Sequence, residues 1–272
     1  MKKRRLLYLL IAVLGTMFLF GCSKEEAKKE DSTKEEKSTI AELEDGELKI
    51  GLCPEYPPFE SLTDSGDMEG FDISLAKAIG EELGVKVTFV NTPWEGLVPG
   101  LNNGDFDMIM SAMSPEEATS ATDAVNLSDA YYELGDAIAI KKGDTSIKSQ
   151  KDLADKIVGV QAACTAEEAA KGLDSKGIKV KELKSYNRNA EAFAELENGR
   201  IQAVVVSFPY AVTQSKEGGN FDVVNDPLQK ADLVAVMKKG SDDFTAKFND
   251  ALKSVKDSGK YADIEKEWLS VK

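Results

Sequence analysis

LNNGDFDMIM (residues 101–110) returns ninety-five positions later as LENGRIQAVV (residues 196–205). Each copy reads as a helix end, an Asn-Gly turn and a buried strand. The flanking elements agree as well. IGLC (50–53) matches VGVQ (158–161), and each is followed by a helical stretch and then a strand, at residues 85–90 in one copy and 178–183 in the other. A repeated series, as opposed to a single repeated turn, predicts two similar α/β lobes. Within the first lobe, ELKIGL (47–52) alternates as a strand does, and FDISLAKAIGEEL (71–83) spaces Leu75, Ile79 and Leu83 along one helical face. Such alternation predicts largely parallel sheets covered by helices. Small ligands of these sheets bind beyond the carboxyl ends of the strands. Two lobes facing one another would therefore place Cys53, Glu55 and Tyr56 on one wall of a cleft, and Gln161, Cys164 and Thr165 on the other.

The ends of the chain have a different character. MKKRRLLYLLIAVLGTMFLFGC puts four basic residues before an apolar run, 6–20, too short for a comfortable membrane span and followed by Gly21-Cys22. This reads as an export signal, residues 1–21. LFGC resembles the bacterial lipobox, which implies acylation of Cys22 and attachment to the outer face of the cell membrane, extracellular or periplasmic. Residues 22–45 are Lys, Glu, Ser and Thr with little apolar content, so they are expected to form a solvated tether. Cleavage at Cys22 removes four basic residues and no acid, leaving 30 basic against 48 acidic residues, a net charge of −18. That surface repels nucleic acid. The chain has no histidine, which removes the commonest general base and the commonest metal ligand.

YPPFE (56–60), GFDISLAKAI (70–79), WEGL (94–97), Asp107, SDAYY (128–132), VGVQ (158–161) and the stretch 199–209 occur in an order that resembles the bacterial extracellular solute-binding proteins of family 3, the polar amino-acid receptors of ABC importers. The resemblance spans residues 46–271. It implies an α/β, two-lobed type II periplasmic-binding-protein fold whose lobes are joined by two hinge strands, near residues 135–140 and 231–236. Lobe 1 would comprise 46–136 and 235–272, and lobe 2 residues 137–234. The C-terminal helices should return to lobe 1: Ser241 caps one bearing Phe244, Phe248, Leu252 and Val255, Gly259 ends it, and Tyr261, Ile264 and Trp268 lie on the next.

Two of the family's ligand anchors are missing. Relatives carry an arginine after the strand that follows Asp107, and its guanidinium forks onto the ligand α-carboxylate. Here that position falls on Thr119, or on Glu117 or Ala118 when aligned from Ser128, and no Lys or Arg occurs anywhere from 87 to 140. The second-lobe Asp that receives the ligand ammonium is replaced by Ser207. The Gly-Thr pair that offers a backbone N–H and a hydroxyl to the carboxylate reads Ala163-Cys164. A charge-assisted hydrogen bond contributes about 1.5–3 kcal/mol, and micromolar binding totals only about −8 kcal/mol. Loss of both charge partners therefore argues against a free α-amino acid.

Ser114-Pro-Glu-Glu117 resembles a helix start, where free N–H groups bind anions, but Glu116 and Glu117 would oppose an anion there. Both acids are expected to complement the helix dipole and face solvent. The local field still favours a neutral or cationic guest. Tyr56 and Trp94 occupy positions that, by resemblance, line the first wall, and they suit cation–π contact or stacking. Phe59 and Phe208 are expected in the core. Ala112, Ser114, Thr119, Gln161, Thr165 and Ser207 complete the candidate ligand-binding set. Cys53 and Cys164 read as small, half-buried apolar residues and neither as a disulfide nor as a metal pair.

The expected protein is a monomeric, lipid-anchored receptor without metal or cofactor. It would close on a small polar solute, amino-acid-like but not a free α-amino acid, and deliver it to a membrane permease. A conventional amino-acid receptor using other anchors is one alternative. An extracellular sensor or accessory domain, or an enzyme using Glu55 or Glu117 as a cleft acid, is another; catalysis is not expected, because no second catalytic group accompanies either acid.

Overall fold

The computed structural model describes residues 40–120, 125–218 and 220–270. The expected signal peptide, Cys22 and the tether as far as residue 39 lie outside the described residues. The packed chain extends back to Ile40, not to Gly46 as composition implied, because Ile40 and Leu43 cover part of the first core. No described helix is long and apolar enough to cross a membrane.

The first half contains β1 (Glu47–Leu52), β2 (Glu55–Tyr56), β3 (Glu60–Leu62), β4 (Met68–Glu69), α1 (Phe71–Leu83), β5 (Lys86–Asn91), α2 (Leu97–Asn103), β6 (Met108–Ile109), α3 (Pro115–Ser120) and β7 (Val125–Leu127). Then come β8 (Tyr132–Lys141), β9 (Ile157–Gln161), α4 (Thr165–Lys171), β10 (Glu182–Tyr186), α5 (Asn189–Glu197), β11 (Ala203–Ser207), α6 (Phe208–Gly218) and β12 (Phe221–Val224). The chain closes with β13 (Lys230–Leu233), β14 (Val236–Lys238), α7 (Asp242–Asp257) and α8 (Lys260–Trp268).

Two sheets have the same construction. The first runs β5-β1-β6-β14-β7 and the second β10-β9-β11-β8-β12. In each, the first three strands are parallel and the fourth is antiparallel to its neighbours. The repeated decapeptides supply the third strand of each sheet, β6 and β11. Their Asn-Gly turns share a cause: Gly104 and Gly199 both adopt positive φ, 83° and 71°, just past a helix end, where a Cβ is strained.

The fourth strands carry the chain between lobes. β8 pairs with β13 over Tyr132–Gly135 and then joins the second sheet from Asp136 onward. The crossing thus lies at 132–135 and 230–233, earlier on β8 than the expected 135–140, since residues 136–140 already pair with β11. The strand expected at 178–183 begins instead at Glu182; Ile178 is buried in the second core, and Val180 packs against it ahead of the parallel ladder.

The C-terminal helices do return to the first sheet. Phe244, Phe248, Leu252 and Val255 of α7 and Ile264 of α8 share a core with Leu48, Ile50, Phe71, Leu75 and Ile79. Each such side chain contributes about 1.5–3 kcal/mol by leaving water. Ser241 stands at the helix start without a side-chain cap; its hydroxyl donates to Glu42. This is the two-lobed type II periplasmic-binding-protein fold.

Candidate functional site: the cleft between the lobes

Loops that follow parallel strands of both sheets meet around one cavity. Tyr56, Trp94, Ala112 and Glu117 line it from the first lobe, Gln161, Cys164, Thr165 and Asn189 from the second, and Asp136 from β8. It encloses about 40 Å³, enough for a few waters at about 10–15 Å³ each. On one side it shares Trp94, Gln161 and Asn189 with a wider mouth of about 490 Å³. On the other it shares Glu117, Cys164 and Thr165 with one of about 640 Å³. The cavity is the waist of the cleft.

An aromatic stack crosses it. The Tyr56 ring lies between Phe59, at 5.9 Å, and Tyr210 of α6, at 5.0 Å, with planes tilted by 19° and 20°. The Tyr56 phenol lies beside the Ser207 hydroxyl. Much of the ring that sequence offered to a ligand is therefore used to hold one lobe against the other.

Behind the first wall is a buried acid pair. Asp72 Oδ2 accepts the Ala112 N–H at 2.7 Å and the Tyr131 hydroxyl at 3.0 Å. Glu60 Oε1 accepts the Ser111 hydroxyl at 2.8 Å, and Ser111 Oγ in turn accepts the Cys53 N–H at 3.0 Å. Burial, then the neighbouring Asp72 charge, pushes the Glu60 carboxyl well above its ordinary range, so Glu60 keeps its proton and shares it with Asp72. The pair pins Ala112 in the left-handed region, φ 45°, at the cavity wall.

Glu117 is the pivotal side chain. Its N–H donates to Ser114 Oγ at 3.2 Å and its Oε2 accepts the Ser114 N–H at 2.7 Å, a reciprocal capping box. Its other oxygen, Oε1, accepts the N–H of Thr165 on the opposite lobe at 2.7 Å. Burial raises its pKa, and these N–H bonds oppose the rise. Across the cavity Asp136 is 5% exposed, and its buried Oδ2 has no hydrogen-bond partner. Burial and then the Glu117 charge push Asp136 up to about 7. Glu60 also lines the cavity, so three carboxyl groups face it and no described lining residue is Lys or Arg.

Comparison with known proteins settles the family. Residues 48–271 match the model of the bacterial extracellular solute-binding proteins, family 3. The chain belongs to that family. This solute-binding protein is 28% identical to the arginine-binding extracellular protein ArtP of Bacillus subtilis over 98% of both chains. It is 31% identical to a probable histidine-binding protein of Campylobacter jejuni, over 89% of this chain and 93% of that one. Among solved structures it resembles an ancestral arginine-binding protein bound to arginine, with a TM-score of 0.75 and 36% identity over 83% of this chain and 99% of the other. An ancestral amino acid-binding protein described as a precursor of cyclohexadienyl dehydratase gives a TM-score of 0.75 and 35% identity, over 84% and 98%.

The structure sorts the candidate residues of this solute-binding protein. Tyr56, Trp94, Ala112, Gln161, Cys164 and Thr165 line the waist. Cys53 and Glu55 line the 490 Å³ mouth, where Glu55 pairs with Arg188 of the second lobe at 3.3 Å. Ser114 is buried and contributes through its backbone, while Ser207 lies behind Tyr56. Thr119 does not reach the cleft: it is exposed and its hydroxyl donates to Pro115 O at 2.8 Å, completing the turn of α3. Phe59 is fully buried as expected. Cys53 and Cys164 are free thiols, both pushed up to about 12 chiefly by burial, so they are protonated at neutral pH.

Two acids outside the expected ligand-binding set, Glu117 and Asp136, line the waist. Glu116 is exposed as expected, but Glu117 points inward; the S-x-x-E spacing of a capping box was the available signal. Asp136 lies on the strand read as a hinge, where its sequence neighbours gave no hint of a cavity.

Proposed function

We propose that this protein is a lipid-anchored extracellular receptor of an ABC importer. It would close on a small amino-acid-like solute that is neutral or cationic and is not a free α-amino acid, and hand it to a membrane permease as a monomer. Lobe 1 would be residues 46–136 with 235–272 and lobe 2 residues 137–234, moving about the β8–β13 ribbon; attachment would be through Cys22.

One observation carries the ligand class: a waist faced by Glu60, Glu117 and Asp136 without a lysine or arginine among its described lining residues. An α-carboxylate entering this field meets the Glu117 charge, a protonated Glu60 and no guanidinium, whereas an ammonium meets an unpartnered Asp136 oxygen. The relatives named for arginine and histidine binding favour a second reading, an ordinary amino acid; its carboxylate would first have to displace Glu117 from the Thr165 N–H. A thermal-shift and calorimetry panel of amino acids, betaines, polyamines and simple amines on the full chain separates the two. Stabilisation by amines and none by α-amino acids is expected. Micromolar binding of any α-amino acid refutes the proposal.

A further inference from the structure

We propose that Glu117 is a built-in occupant of the solute's carboxylate seat and thereby the residue that excludes α-amino acids from the cleft. This rests on reading the waist as the solute site. Two backbone N–H groups, one from each lobe, converge on one carboxylate: Ser114 N at 2.7 Å and Thr165 N at 2.7 Å. A pair of donors contributed by opposite lobes is an arrangement that exists only when the cleft is shut. Whatever carboxylate accepts both holds it shut.

In this chain that carboxylate is tethered, at an effective concentration no free solute can match. A solute acid must evict Glu117, strand its charge in a buried space and compete for the same two donors. A solute without a carboxylate faces no such competition. Asp136 stands across the same cavity, nine-tenths buried with one oxygen unpartnered, and offers the place for an ammonium. The solute class that fits is a small primary amine with no carboxylate, its cationic end at Asp136 and its remainder extending toward either mouth of the cleft.

The geometry makes the opposite specificity recoverable. Glu117→Ala frees both N–H donors and the volume of the acid side chain, which is the space a small carboxylate needs. Calorimetry at pH 7.5 on the full chain, with ethylamine, propionate and alanine as probes, reads the outcome. Wild type should bind ethylamine and ignore the two acids. E117A should gain at least about tenfold in affinity for propionate and for alanine. In E117A/D136N the alanine gain should vanish, because its ammonium has lost its partner, while the propionate gain persists. E117Q fills the same volume but its amide accepts only one of the two N–H bonds, so it should gain clearly less than E117A. If E117A does not fold, E117S, whose side chain is too short to reach Thr165, is read in its place.

Absence of any acid gain in folded E117A or E117S, with wild type still refusing alanine, overturns the role of Glu117 and leaves the amine reading standing. An acid gain in E117Q equal to that in E117A also overturns it, since occupancy would then be irrelevant. Micromolar alanine binding by wild type instead overturns the amine reading itself.

Discussion

Asp136 lies directly opposite Ser207 in the antiparallel ladder between β8 and β11. Ser207 is the position at which the family resemblance places an ammonium-binding acid, and the ammonium site proposed above, Asp136, lies on the neighbouring strand.

That placement predicts a pH dependence. Asp136 is faced by Glu117 of α3, Glu60 of β3, and the neutral Tyr56 and Cys164, with no cation among the described lining residues. Its folded pKa, about 7, exceeds the ordinary carboxylate value. The folded state therefore holds a proton that the unfolded chain releases, and the resulting stability is full at acid pH and is lost between about pH 4 and 7. Thermal melts should show wild type losing ground to D136N from pH 5 to pH 8, by on the order of 2–4 kcal/mol. Affinity for ethylamine should rise toward pH 7 and level off in wild type, and stay low and flat in D136N.

The Glu60–Asp72 pair makes a second prediction. Glu60→Gln can still accept from Ser111 and donate to Asp72, so its cost near neutral pH should be under about 1 kcal/mol. Because the Glu60 carboxyl is raised, wild type loses the shared proton as pH climbs, and E60Q should melt higher than wild type at pH 9. Asp72→Ala strands the Ala112 N–H and the Tyr131 hydroxyl, and should cost about 2–4 kcal/mol in urea unfolding.

Tyr56→Leu tests the stack across the cleft. Leucine keeps apolar bulk but loses the planar contact with Tyr210 and the hydroxyl beside Ser207. Such contacts are worth about 0.5–1.5 kcal/mol beyond area. Small-angle scattering should show a larger radius of gyration than wild type, with unchanged far-ultraviolet circular dichroism.

Gly70 precedes α1 at φ 132°, and a Cβ built there would lie 2.2 Å from the Phe59 carbonyl oxygen. Both backbone strain and collision oppose any side chain. Gly70→Ala should destabilise by about 3 kcal/mol or more, measured as a drop in the urea midpoint.

The architecture was legible in local pattern. Periodicity located α1, and the paired Asn-Gly turns revealed two lobes because a helix end followed by a buried strand demands the same positive-φ glycine wherever it occurs. Tyr56, Gln161 and Thr165 follow from strand ends, which in such sheets face the cleft, and Trp94 from the family resemblance. The absence of positive charge from 87 to 140 was equally visible, and Trp94, Ala112, Glu117 and Asp136 of the waist fall within it.

Tertiary structure alone decided what the acids do. Glu116 and Glu117 are adjacent in sequence and equivalent in composition, yet one faces water and the other accepts the Thr165 N–H from the opposite lobe, a difference set by which donor lies across the cleft. Asp136 became a cavity group only through pairing with a strand some seventy residues away. Burial and through-space charge depend on contacts between distant segments, and a linear pattern records only its own neighbours.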